Sequence, residues 1–213
     1  MSSEPLPAGF SIADRMVWLD GYCPSPRLIQ EYIDCGRSFL QSPYENDFSH
    51  ELPLIFTDSA CLNNGRGNPQ AGCGVATGAD VNDQFHSHSV GAGQRTNQRA
   101  ELFGVQNGLE MDLQAATRQP HGADCPTVSY CNFVIATDSK YAVQGITEYL
   151  PEWKTNGFRT SNGRLPVNEA QFCEIDETMS NYEELGYGVA LWYVPRLFNA
   201  IADEIAKEGV AGD

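Results

Sequence analysis

Positive charge is scarce in this sequence: 13 Lys and Arg stand against 28 Asp and Glu in 213 residues, a formal net charge of −15. Such an acidic balance argues against a protein that grips nucleic acid by bulk charge. Any polyanion must be met by a local basic surface or by metal ions. Long apolar runs are missing too: nothing approaches the roughly 18 residues that a membrane-spanning helix needs, so no membrane partner is expected. The opening stretch from Met1 to Pro7 has no basic residue and leads into no apolar segment, which argues against a signal peptide or a mitochondrial presequence. The seven cysteines are odd in number and form no Cys-x-x-Cys, and His50, His86, His88 and His121 complete no zinc pattern. An intracellular protein, cytoplasmic or nuclear, with reduced thiols is the simplest reading. No feature points to a protein partner or to an oligomeric state.

What is present suffices for a core. A chain of this size buries about 70% of its unfolded surface and needs no disulfide or structural metal to do so. Residues 1–52 read as an N-terminal extension of unstated role, rich in proline (Pro5, Pro7, Pro24, Pro26, Pro43) and without sustained period. Only Pro26 to Leu40 suggests a helix there, through Leu28, Ile29, Tyr32, Ile33 and Phe39. Residues 53–213 are orderly. Leu54 to Asp58 is an apolar strand ending in an acid, and Asn63 to Pro69 is turn material. Strands are expected over Ala71–Thr77 and Gln84–Val90, and a helix over Asn97–Leu113 from the spacing of Leu102, Val105, Leu109 and Leu113. Cys131 to Asp138 repeats the pattern of a strand closed by Asp. A helix follows from Ser139 until Pro151 breaks it, then a helix over Val167–Tyr182, a strand over Gly188–Val194 and a last helix over Asn199–Glu208. This order predicts an α/β domain with a mixed sheet flanked by helices.

Two strands close on Thr-Asp, at Thr57-Asp58 and Thr137-Asp138. A single strand-terminal Asp is commonly a cap or turn residue. Two on neighbouring strands are another matter, because adjacent carboxylates repel unless a cation lies between them. Oxygen-only ligands of this kind suit Mg²⁺ or Mn²⁺. Glu101, near the start of its helix, either complements the helix dipole or joins the acids. Asp203 is a fourth candidate, since Asp is a poor residue for a helix interior.

In order along the chain, these acids sit within a longer series: Thr57 to Gly65, Ala71 to Val75, Gln94 to Glu101, Thr137 to Tyr141, Gly145 to Thr147, Trp153 to Ser161 and Asn199 to Gly209. The series resembles type 1 ribonuclease H, especially the eukaryotic cellular form, over roughly residues 54–209. The resemblance implies a ribonuclease H-like fold with a five-stranded mixed sheet. It also implies an endonuclease that hydrolyses the RNA strand of RNA–DNA hybrids with two divalent ions, Mg²⁺ or alternatively Mn²⁺. Matching motifs make Asp58, Glu101, Asp138 and Asp203 the catalytic, metal-binding acids. They make Cys61, Asn64, Asn97, Gln98 and Ser161, with Glu101, the contacts to the RNA 2′-hydroxyls. Thr96 and Asn168, with Arg95 or Arg99 nearby, match a phosphate pocket for the DNA strand. Tyr141, Tyr149 and Trp153 match a channel under its sugars, although Tyr149 and Trp153 equally suit ordinary core packing. Lys140, Lys154, Arg159 and Arg164 concentrate basic charge in the same stretch.

The chain departs from the family pattern at three places. The loop Val194 to Asn199 is short and lacks the family's His, which implies slower turnover, since acid–base assistance is typically worth about 10²–10⁴-fold. Ser59 replaces the usual Gly, and residues 1–50 are acidic instead of forming a basic hybrid-binding module. These departures keep an alternative open: a catalytically weak or inactive ribonuclease H-like protein used for binding or assembly.

Overall fold

The structure is a computed structural model that describes residues 29–32, 37–40, 52–64, 69–77, 85–89, 96–117, 132–185 and 187–211. Its strands are β1 (Ile29–Tyr32), β2 (Arg37–Leu40), β3 (Leu52–Leu62), β4 (Gln70–Ala76), β5 (Phe85–Ser89), β6 (Asn132–Thr137) and β7 (Gly188–Tyr193). Its helices are α1 (Asn97–Thr117), α2 (Lys140–Gln144), α3 (Leu150–Asn156), α4 (Glu169–Glu184) and α5 (Ala200–Ala211). β3 lies centrally, antiparallel to β4 and parallel to β6; β5 extends the sheet beyond β4 and β7 extends it beyond β6. This is the expected α/β architecture with a mixed sheet between helices.

Alternation along the strands assigns the two faces. Ile55 on β3 and Phe133 and Ile135 on β6 pack with Leu102, Val105 and Leu109 of α1 and with Phe172 and Ile175 of α4. The intervening residues Leu54, Phe56, Val134 and Ala136 turn to the opposite face and meet Ala202 and Ile205 of α5. Burying each of the larger side chains contributes about 1.5–3 kcal/mol, so both faces are held by apolar area. α5 is seated by two missing side chains on β4. A Cβ at Gly72 would lie 2.6 Å from the Val210 backbone nitrogen, and one at Gly74 would lie 2.5 Å from that of Ala206. Only glycine lets the helix come so close, and that approach carries Asp203 towards β3.

Three expectations need correction. The Pro26–Leu40 stretch is not a helix where it is described: β1 and β2 pair antiparallel, and β2 adds to the start of β3 through Phe39 opposite Pro53 and Leu40 opposite Leu52. A short, weakly periodic segment does not hold a helix alone, whereas an open strand edge offers backbone partners. With this hairpin the sheet has seven described strands where five were expected. Leu28 and Ile33 lie outside the described residues.

Second, the strand containing Asp58 does not end there but continues to Leu62, paired with β4 throughout. Third, Pro151 does not break its helix. Proline lacks the N–H for an i→i−4 bond, and its ring crowds the carbonyl four residues back. Here Gly145–Tyr149 takes a wider π-helical turn, with the Leu150 N–H donating to Gly145 O, and Pro151 falls in the first positions of α3, where no donor is required. The Phe172 ring packs so tightly on Gly145 that a Cβ would lie 2.5 Å from it.

Candidate active site

Strand register explains the first two acids. Thr57 and Thr137 are partners in the parallel β3–β6 ladder, so Asp58 and Asp138 follow side by side on strands about 4.8 Å apart. By the same alternation they follow Phe56 and Ala136 towards the face covered by α5, which carries Asp203 in its first turn. Glu101 approaches from α1. The Ser139 hydroxyl donates to its Oε2 at 2.7 Å and accepts from the Ala142 N–H at 3.1 Å, so one serine caps α2 and orients the glutamate. The charges of Asp138 and Asp203 act on Asp58, and that of Asp138 acts on Glu101. The four predicted acids thus share one electrostatic neighbourhood.

Their protonation energetics differ. Asp58 is 8% exposed, and burial pushes its carboxyl up to about 7. The Ser59 N–H, donating to Oδ1 at 2.6 Å, opposes that rise; Asp138 and Asp203 add to it, and Arg196 counters them. Among the described residues, the buried Asp58 Oδ2 has no hydrogen-bond partner. Burial also raises Glu101, with the Ser139 bond lowering it and the Asp138 charge raising it further. For Asp203 burial again disfavours the charge, but Lys207 and Arg196 outweigh it and hold the carboxyl below its ordinary value.

Two cations hold Asp203. Arg196 reaches Oδ1 and Lys207 reaches Oδ2, each at 2.5 Å, and Arg196 also lies 3.8 Å from Asp138 Oδ2. Asn199, buried before α5, donates to Thr57 O at 3.0 Å and to Asp138 Oδ1 at 3.3 Å. Among the described residues, no three His, Cys, Asp or Glu side chains are gathered closely enough to share a metal ion. Ser139, Asn199, Arg196 and Lys207 instead bond oxygens of Glu101, Asp138 and Asp203. The donor set nevertheless fits a hard divalent cation: every acid offers carboxylate oxygen, and one buried oxygen has no partner.

The predicted substrate contacts fall into groups. Thr96 caps α1 by accepting from the Arg99 N–H at 3.3 Å, leaving Asn97 and Gln98 exposed in the first turn. Gln171 of α4 donates to Arg99 O at 3.2 Å and so sets the start of α4 against the start of α1. There Asn168, in the left-handed conformation at φ 65°, donates to the Tyr141 hydroxyl at 3.2 Å, and that hydroxyl donates to Val167 O at 3.2 Å. Burial raises the Tyr141 phenol, the Asn168 bond lowers it, and the Glu101 charge adds a further rise. Thr96 and Asn168 are therefore on adjoining helix starts. Cys61 is half-buried near the end of β3, and Asn64 is exposed in the turn after it. Tyr149 is exposed and stacks at 5.9 Å on Trp153, which meets Phe172 edge-on at 5.3 Å and so packs at the core margin. Ser161 is exposed in the loop between α3 and α4. Arg95 lies outside the described residues.

Sequence reasoning missed Ser139, Asn199 and Gln171 as site-building residues. For Asn199 the available signal was an amide placed directly before an apolar helix; the other two show their roles only through contacts far along the chain.

A family model described as RNase H matches residues 51–211. Ribonuclease H1 of Rattus norvegicus is 32% identical over 193 residues, covering 87% of this chain and 60% of the rat protein. Ribonuclease HI of Haemophilus ducreyi is 32% identical over 158 residues, covering 73% of this chain and 88% of that protein. The solved PFV RNase H domain shares the fold, with a TM-score of 0.51 at 18% identity over 75% of this chain and 94% of that one. The chain spans half to three-fifths of the length of the mammalian relatives it matches.

Proposed function

Because the chain belongs to the RNase H family, we propose that it is an endoribonuclease that hydrolyses the RNA strand of RNA–DNA hybrids with divalent cations at its acid site. One observation carries the reading: ladder register sets Asp58 beside Asp138, and Asp58 Oδ2 lies buried there with no partner among the described residues. Such an arrangement is costly for a folded protein by itself and suits a site that takes a cation. Asp58, Glu101, Asp138 and Asp203 are the residues that would hold Mg²⁺ or Mn²⁺, two ions in this proposal. Bound, the metal would supply water activation and charge compensation at the leaving 3′-oxygen.

The protein's own residues do the remainder. Ser139 and Asn199 hold Glu101 and Asp138 in place. Asn97, Gln98, Asn64, Cys61 and Ser161 are assigned to the ribose hydroxyls of the RNA strand. Thr96 and Asn168, on adjoining helix starts, are assigned to a DNA phosphate, and helix N-termini favour anions. Tyr141, Tyr149 and Trp153 are assigned to the route of the DNA sugars, while Arg159 and Arg164, both exposed, offer local basic charge beside Lys140 and Lys154. Residues 53–213 form the catalytic domain in this account and residues 1–52 an extension to it. Among the described residues no helix is long and apolar enough to cross a membrane.

The test is strand and substrate selectivity on end-labelled duplexes with Mg²⁺. Cleavage confined to the RNA strand of the hybrid is expected; equal cleavage of double-stranded DNA, or of none, would overturn the assignment. The alternative of a weak or inactive binding protein is favoured by one feature, the short 194–199 loop that presents Arg196 to the acids in place of a His. Tight hybrid binding without cleavage would select it.

A further inference from the structure

The acid site contains a cation of its own. Arg196 sits on the 3₁₀ turn Arg196–Phe198, and its side chain is 68% exposed, so apolar packing does not fix the guanidinium in place. It nevertheless spans two of the four acids, reaching Asp203 Oδ1 at 2.5 Å and Asp138 Oδ2 at 3.8 Å. Among the described residues Lys207 pairs with Asp203, as an i,i+4 partner on its own helix, and not with Asp138. Both carboxylates are well covered, with side chains 13% and 15% exposed. An uncompensated pair of such acids would be costly, and a guanidinium can offset both because its planar fork offers several donors in different directions.

We propose that Arg196 is a displaceable counter-ion, which bridges Asp138 and Asp203 while no divalent ion is bound and must release at least one of them for the ion to be held. The inference rests on the reading of these acids as the cation site, and it adds a residue that sets how readily that site is loaded. Arg196 and an incoming cation compete for the same oxygens. The arginine must therefore weaken apparent metal affinity, and it swings free into solvent once displaced. Its place on a short turn beside α5 permits this, since the Phe198 N–H to Pro195 O and Asn199 N–H to Arg196 O bonds hold the backbone while the side chain stays largely exposed. Lys207 has no such bridging role, because it leaves Asp138 untouched.

The experiment is calorimetric titration of Mn²⁺ into the full-length protein without nucleic acid, comparing wild type, Arg196→Gln and Lys207→Gln. Exposed ion pairs are individually weak, so the expected gain for Arg196→Gln is roughly three- to tenfold tighter Mn²⁺ binding. Lys207→Gln is expected to gain less. Thermal unfolding in EDTA checks that each variant is folded, and Arg196→Lys supplies a second variant, expected to fall between wild type and Arg196→Gln because a point charge cannot span both acids. Binding by Arg196→Gln equal to or weaker than wild type overturns the proposal, as does a gain for Lys207→Gln as large as that for Arg196→Gln. Failure of wild type and all variants to bind Mn²⁺ overturns the cation-site reading itself, a result distinct from either.

Discussion

Asp58 offers the sharpest quantitative handle. Its carboxyl is raised from 3.8 to about 7 chiefly by burial, so the folded metal-free protein holds a proton there that the unfolded chain has already lost. In that window the folded state binds more protons, and stability must therefore fall as pH rises, flattening above about 7. Replacing Asp58 with Asn keeps an oxygen for the Ser59 N–H and removes the titration. Between about pH 5 and the folded value near 7 lie about two units, at about 1.36 kcal/mol each, or roughly 2.7 kcal/mol. Water entry and local relaxation reduce this, so the stability gap between Asp58→Asn and wild type should widen by about 1.5–3 kcal/mol from about pH 5 to about pH 8.5. Urea unfolding of both proteins in EDTA at the two pH values measures it. A gap that stays constant, or narrows at high pH, would refute the description of Asp58 as a desolvated carboxylate.

Other perturbations test the neighbouring residues. Ser139→Ala should lower hybrid cleavage about 10–100-fold by releasing Glu101, while costing about 1 kcal/mol of stability through the lost α2 cap, read from kcat and from urea midpoints. Asn199→Ala should cost about 1–3 kcal/mol by stranding the buried Thr57 carbonyl, and a neutral result in urea unfolding would show that carbonyl to be otherwise satisfied. Gly74→Ala should lower the thermal midpoint and the activity together, because α5 must lift away from β4 and take Asp203 with it. At limiting Mg²⁺, cleavage should rise with pH up to about 7 and then level off, as Asp58 must lose its proton to accept a cation. A rate falling over that range would contradict the assignment.

The adjacency of Asp58 and Asp138 was legible because each belongs to a local pattern that the fold preserves. Thr57-Asp58 and Thr137-Asp138 end matching apolar runs, and parallel register turns that similarity into adjacency. The alternation of Leu54, Ile55 and Phe56 likewise announces a strand buried on both faces. What escaped depends on distant contacts. The β1–β2 hairpin exists through pairing with the start of β3, which nothing within Pro26–Leu40 specifies. Pro151 reads as a breaker until the π-helical turn before it removes the need for its missing N–H. Arg196 shows the same limit. In the sequence it is one basic residue in a loop shorter than its family's, and it is the pairing of β7 beside β6, with the Val194 N–H donating to Thr137 O, that starts its turn next to Asp138.

The central claim, that four carboxylates meet to support metal-dependent cutting of RNA paired with DNA, is tested most directly by one assay. A labelled RNA–DNA hybrid is incubated with wild type and with Asp138→Asn across a range of Mg²⁺ and Mn²⁺ concentrations. Metal-dependent cleavage by wild type and its loss in the variant are expected, and equal activity of the two proteins at every metal concentration would contradict the claim.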